Sequence, residues 1–254
     1  MSFKKDILNT LKFAASGFVL LVIIGFTNSR QSDKYIRDVV IDIDNQFENY
    51  FINEKDVLSL INGEGKDYLL GSDFGSLNLK ELENRILENK YVGRVQAFRD
   101  LHGTLTIKVI QNRPIARILR KSGSDVYIST KGKILPHSSH YTARVILVDI
   151  DGELDLYGQN IQDTEEGMAI FQLINFIDTD EFWKAQIAGI KVDKNLEIKL
   201  MPQVTKQVVE FGKAEDIEEK FKKLKIFYRK ILPFEGWNSY SSVNLKYKQQ
   251  IVCK

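Results

Sequence analysis

A single apolar run from Phe13 to Thr27, set behind a tail that carries Lys4, Lys5 and Lys12, limits this chain more than any other feature, because the residues beyond it read as water-soluble protein. No charge falls between Lys12 and Arg30. At about 1.5 Å of rise per residue the uncharged stretch approaches the roughly 30 Å hydrocarbon thickness of a bilayer, and it spans if Lys12 extends its stem toward the headgroups. A cleaved signal peptide is the competing reading. That needs a shorter apolar core and a small-x-small cleavage site, and Gly25 to Ser29 supply no clean one. The run is therefore read as a membrane anchor over residues 13–29, after a cytoplasmic tail of residues 1–12.

Arg30, Lys34 and Arg37 equal in number the three lysines ahead of the span, so positive charge alone does not orient it. Length does. Long domains cross largely regardless of charge, and nearby acids such as Asp33 and Asp38 contribute little, so the N-terminus is expected inside and the bulk of the chain exported. With 254 residues, 43% of them hydrophobic, the exported part has enough material for one or two real cores. A net charge of +2 is too mild for nucleic acid, whose binders concentrate a basic face. The lone Cys253 allows no internal disulfide, so these cores hold by packing alone, which fits a bacterial envelope protein better than a disulfide scaffold.

Hydrophobic period sorts the remainder into elements. Val39 to Ile43 alternates with Val40 and Asp42 on the other face, as a half-buried strand does. Asn53 precedes the acidic turn Glu54 to Asp56, and Asn62 with Gly63 forms a stop, so a helix is expected between them. After a glycine-rich loop over residues 63–76, Leu79, Leu82, Ile86 and Leu87 recur at helical spacing within a second helix, Leu77 to Asn89. Strands Val92 to Arg99 and Thr104 to Ile110 come next, joined by the turn Asp100 to Gly103.

Pro114 breaks this pairing pattern, and a domain boundary is placed at Gln111 to Arg113. Beyond it come short strands at Ala116 to Leu119, Asp125 to Ser129 and Arg144 to Ile150. A short helix, Met168 to Ile177, precedes strands Gly189 to Met201, bent at Asp193 to Asn195, and Gln207 to Phe211. The strongest helix is Asp216 to Leu232, striped by Ile217, Phe221, Leu224, Phe227, Tyr228 and Ile231 and ended by Pro233. A last strand, Ser241 to Val252, places Val243, Leu245, Tyr247 and Ile251 on one face, with Asn244, Lys246, Lys248 and Gln250 on the other.

No glycine-rich phosphate loop, Gly-x-Ser-x-Gly elbow, Cys-x-x-Cys or His-Glu-x-x-His occurs. His137 and His140 lie after Pro136 among serines, in a solvent-facing loop rather than on the helix face a metal would use, so no metal and no cofactor are expected. The 34 acidic residues leave open a carboxylate pair assembled by the fold, as in an envelope hydrolase, although that number is ordinary for such a chain. The last strand is more telling. A terminal strand exposes unpaired amides and carbonyls along its outer edge, where another chain can add as an extra strand. Backbone bonds of about 0.5 to 1.5 kcal/mol each need apolar anchors beside them, for which Trp237, Tyr240 and Tyr247 are placed. The opposite reading makes Lys246 and Lys248 edge-blunting charges and the aromatics core.

The tail, span and strand-helix-helix-strand-strand unit, together with the run Gln111 to Arg117 and the closing helix before Tyr240 to Tyr247, resemble the bacterial cell division protein family FtsQ (DivIB) over essentially the whole chain. The most specific pieces are Pro114-Ile115-Ala116, Tyr127 to Pro136 with Gly132 at the turn, Tyr141 to Val145, Phe211-Gly212, and Tyr240, Val243, Asn244, Leu245 and Tyr247. Ser129 stands where many members carry Asp, and Ile146 where Pro is common.

The resemblance implies an α+β protein: an N-terminal transmembrane helix, a POTRA-like βααββ domain over residues 36–111, and a mixed, mostly antiparallel β domain with a long helix over residues 112–254. It implies a non-catalytic scaffold of the division complex at the septum, in the bacterial inner membrane with its bulk in the periplasm. FtsB-like and FtsL-like single-span proteins would be its partners, with other division proteins at the POTRA-like domain. Carried across position by position, partner contacts fall at Lys246, Tyr247 and Gln249, with Tyr240 and Asn244 beside them. The alternatives are the envelope hydrolase and a POTRA-type module that binds polypeptides at its own sheet edge.

Overall fold

The computed structural model describes residues 15–24, 35–45, 49–62, 69–100, 102–121, 123–151 and 158–254. Residues 15–24 form a helix, α1, exposed along its length. No helix among the described residues is long and apolar enough to cross a membrane. The rest of the expected anchor, the cytoplasmic tail and residues 63–68 of the glycine-rich loop lie outside the described residues.

The chain divides into two compact units, one reaching Asp44 and resuming over Ile52–Ile110, the other comprising Asn45–Phe51 and Gln111–Lys254. In the first, β1 (Asp38–Asp44), α2 (Glu54–Asn62), α3 (Leu79–Leu87), β2 (Val92–Arg99) and β3 (Thr104–Gln111) succeed one another in chain order. β3 lies between β1 and β2 and runs parallel to β1. The expected N-terminal cap forms. Asn53 Oδ1 accepts the Asp56 amide at 3.0 Å while Asp56 Oδ2 accepts the Asn53 amide at 2.9 Å, a reciprocal box that satisfies two orphan donors of α2. Leu105, Ile107 and Val109, every second residue of β3, are buried in a core with Val57, Ile61, Leu82 and Ile86.

The second unit is built on a nine-stranded sheet. Its strands are β4 (Pro114–Leu119), β5 (Val126–Ser129), β6 (Ile134–Pro136), β7 (Ile146–Ile150), β8 (Ile187–Val192), β9 (Ile198–Pro202), β10 (Val208–Gly212), β11 (Ser242–Asn244) and β12 (Val252–Cys253). Spatial order is β12-β11-β10-β9-β8-β7-β4-β5-β6. Pairs β4–β7, β7–β8 and β10–β11 are parallel and the others antiparallel. Pro114 opens β4, in a different sheet from β3, opposite Ser129 at a register shift, where its missing amide costs least. At the β5–β6 turn Gly132 takes φ 75°, and the Ser129 hydroxyl accepts the amides of Lys131 and Lys133 at 3.3 and 3.0 Å. The short serine thus does for this turn what a carboxylate acceptor would do.

Helices α4 (Glu165–Thr179), α5 (Glu181–Gln186) and α6 (Ile217–Ile226) supply the other half of this core. α4 starts three residues before the expected Met168, because the Thr164 hydroxyl caps the Gly167 amide. Fully buried Trp183, on α5, packs against Phe182, Phe221 and Tyr228 with centroids 4.8, 4.8 and 5.9 Å away. The strong helix does not stop at Pro233. It widens into a π turn over Phe227–Ile231, where the Leu232 amide reaches back to the Phe227 carbonyl, and continues as α7 (Leu232–Glu235) until Gly236 at φ 100°. Near the start of that last turn, the amide proline lacks is not needed.

Candidate functional site

The sheet ends on the C-terminal side in β10, β11 and β12, and here the structure departs most from the sequence expectation. Ser241 to Val252 is not one strand. β11 spans three residues parallel to β10, with Val209 opposite Val243, and the chain then turns back so that β12 runs antiparallel to β11, Val243 opposite Cys253 and Asn244 opposite Val252. The reversal passes through Gln249 at φ 61°. Ser241 and Ser242 donate their amides to the Lys254 carbonyl at 2.6 and 3.2 Å, and Lys254 returns its amide to Ser242 at 3.1 Å. The outer edge of β11, expected to be open, is occupied by the chain's own end.

The stretch after β11 is held from within. The Leu245 amide donates to the Glu210 carbonyl at 2.9 Å, continuing the pairing with β10. Lys223, one helical turn along α6 from buried Lys220, donates through Nζ to the carbonyls of Leu245 at 2.9 Å and Tyr247 at 2.6 Å. Lys246 has its amide on the Asn244 Oδ1 at 2.9 Å and its ammonium on Glu197 Oε2 at 3.1 Å, a hydrogen bond that raises its pKa. Its stem lies across Gly212, whose φ of 78° no β-carbon would favour. Asn244 in turn donates to Glu210 Oε2 at 2.8 Å.

The five expected contact residues are therefore not equivalent. Tyr240 is half-buried, its ring 5.8 Å from Phe227, and Asn244 and Lys246 are engaged with β10 and β9 neighbours. Lys246, Tyr247 and Gln249 are exposed. Sequence reasoning did not find Lys223, Glu197 or Glu210, which position this margin; a charged residue on the inner flank of an amphipathic helix was the signal available for Lys223.

Beside the margin, Lys213, Lys220, Lys223, Lys246 and Lys248 face Glu197, Glu215, Asp216 and Glu219 around a cavity of about 350 Å³. Burial pushes the Lys220 ammonium below its ordinary range, opposed by Glu215 and Asp216, and its Nζ donates to the Lys213 carbonyl at 2.9 Å above the Phe211 ring. Elsewhere in the unit, burial would raise the Asp178 carboxyl, but hydrogen bonds from Arg113 and Lys184 hold it below the usual carboxylate range. Hydrogen bonds from Arg117 likewise outweigh burial at Asp125. Among the described residues no shifted carboxylate is raised, as a general acid would be. Among the same residues no group of three or more His, Cys, Asp or Glu is arranged to hold a metal.

A βααββ unit joined to a mixed sheet with a chain-terminal margin defines a class of POTRA-bearing α+β proteins. Residues 34–110 match the family model for POTRA-like domains, and residues 113–254 match the one described as FtsQ/DivIB, C-terminal related. The chain belongs to the FtsQ/DivIB family of cell division proteins. No curated protein matches it.

Proposed function

We propose that this protein is a non-catalytic scaffold of the bacterial division complex, holding single-span FtsB-like and FtsL-like proteins by strand addition at the C-terminal margin of its large sheet. Residues 13–29 anchor it in the cytoplasmic membrane with the N-terminus inside, and residues 36–111 and 112–254 act outside as POTRA-like and partner-holding domains. The POTRA-like domain meets other division proteins. The observation that carries this reading is the margin itself, a sheet end closed by only the two residues of β12, with exposed Tyr247 in the turn ahead of β12 and exposed Trp237 as the anchors offered to a guest. Family membership supports a division role, and the depressed carboxylates weigh against an envelope hydrolase.

The partner-contact residues proposed are Lys246, Tyr247 and Gln249, with Tyr240 and Asn244 beside them. Tyr247→Ala is expected to reduce crosslinked capture of the FtsB-like partner from dividing cells severalfold while urea unfolding stays unchanged. Equal capture by the variant and the parent chain would remove this margin from the partner interface.

A further inference from the structure

β11 carries a strand of its own chain on its outer edge. The exchange of two hydrogen bonds between Ser242 and Lys254 marks a hydrogen-bonded pair, so Asn244 and Val252 form the next one and Val243 and Cys253 the non-bonded pair between them. In β12, then, only Cys253 points its amide and carbonyl outward. One residue is too little to template a visiting strand. β11, by contrast, directs the backbone of Ser242 and Asn244 toward the tail, flanked by buried Val243 and Leu245.

The tail's own hold is slight. Two residues are in strand conformation, Ile251 and Cys253 are only half-buried against the core, and residues 246–250 are exposed. Lys223 fixes the chain as far as the Tyr247 carbonyl, so freedom begins after it, at Lys248 and the left-handed Gln249.

Resting on the strand-addition reading, we infer that residues 250–254 are a resident guest strand hinged at Lys248–Gln249, and that an incoming partner strand displaces it from β11 rather than extending β12. The seat defines the guest: an extended polypeptide antiparallel to β11, with apolar side chains two apart in the places of Ile251 and Cys253. The tail therefore guards a hydrophobic edge when no partner is present, and competes with weak guests.

The natural Cys253 supplies the test. Opposed residues of a non-hydrogen-bonded pair sit about 4.5 Å apart at Cα, within the disulfide range of about 4.4 to 6.8 Å, so Val243→Cys in the full chain staples the tail closed on oxidation. The probe is a fluorescein-labelled peptide of residues 246–254 carrying Cys253→Ser. Deletion of residues 250–254 is expected to raise its affinity at least tenfold over the parent chain. Val252→Pro, which removes a β12 donor without deleting anything, gives an intermediate rise and serves if the deletion unfolds. Oxidised Val243→Cys is expected to lose the peptide and regain it on reduction, a comparison within one variant. Equal binding by stapled and reduced forms, or no binding by opened chains that remain folded, overturns the inference. Crosslinked capture of division proteins keeps the two proposals separate: full capture by the stapled chain overturns displacement and leaves the scaffold standing. Capture of none by the parent chain ends the scaffold reading, while the peptide series still decides the tail.

Discussion

Gly212 joins the last long strand to α6 and lies under the stem of Lys246, so replacing it with alanine tests the margin's construction. Two costs add. Its φ of 78° puts a residue with a β-carbon in the left-handed region, at about 1 to 2 kcal/mol. The new carbon would stand 2.8 Å from Lys246 Cγ and 3.1 Å from Cδ, so the lysine stem must swing aside. That breaks the Lys246–Glu197 ion pair, which is exposed enough to be worth only about 0 to 1 kcal/mol. Gly212→Ala is thus expected to destabilise the second unit by about 1 to 3 kcal/mol. Gly189 is the control: it lies in β8 without a positive φ, and the nearest heavy atom to its added carbon is the Leu147 carbonyl oxygen at 3.4 Å. Gly189→Ala should be neutral or stabilise by up to about 1 kcal/mol, through the unfolded chain alone. Both tryptophans, Trp183 and Trp237, lie in the second unit, so fluorescence during urea unfolding tracks that unit specifically. The reasoning fails if Gly212→Ala unfolds within about 0.5 kcal/mol of the parent, the usual scatter of neutral surface changes, or if the two alanines destabilise equally.

Trp183→Ala empties the centre of the ring cluster formed with Phe182, Phe221 and Tyr228; a loss of about 3 to 5 kcal/mol is expected, read by far-ultraviolet circular dichroism in urea. Asp178 has a folded pKa held below its ordinary 3.8, so its ion pairs contribute stability that is complete above that value and disappears as pH falls through the lower folded one. Acid unfolding of the parent should accordingly steepen below about pH 4, and Asp178→Asn should flatten that part of the profile while lowering stability at neutral pH; an unchanged acid slope would disprove the assignment.

Elements with many turns or clear alternation were legible because their signals repeat. Leu105, Ile107 and Val109 declare β3 three times over, and the Asn53–Asp56 box announces α2 before its apolar stripe begins. What escaped was short or contradicted a strong local rule. α5 has six residues, too few for a period to register, although Asp180 ahead of Glu181 was a readable cap and does accept the amides of Phe182 and Trp183. β6 has three residues and no alternation to show. Pro233 carries the strongest stop signal in the chain, yet the π turn ahead of it absorbs the proline and lets the helix run on to Glu235. Local chemistry gave the right preference there, and packing of Phe227 and Tyr228 into the core overrode it.

The tail escaped for a different reason, which lies in the register and not in its length. Because Val243 faces Cys253, the same alternate positions point toward the core on both arms of the hairpin, Val243 and Leu245 going out, Ile251 and Cys253 coming back. A straight strand and this hairpin therefore write the same alternation, and period alone cannot separate them. Only turn chemistry could, and the reversal contains no glycine, proline or asparagine between Leu245 and Ile251. It is made instead by Gln249 in a left-handed conformation that glutamine rarely adopts. A reversal without turn-forming residues is held in shape by the pairing at its far end, so when that pairing is lost the loop has no preference of its own that would keep the tail in place.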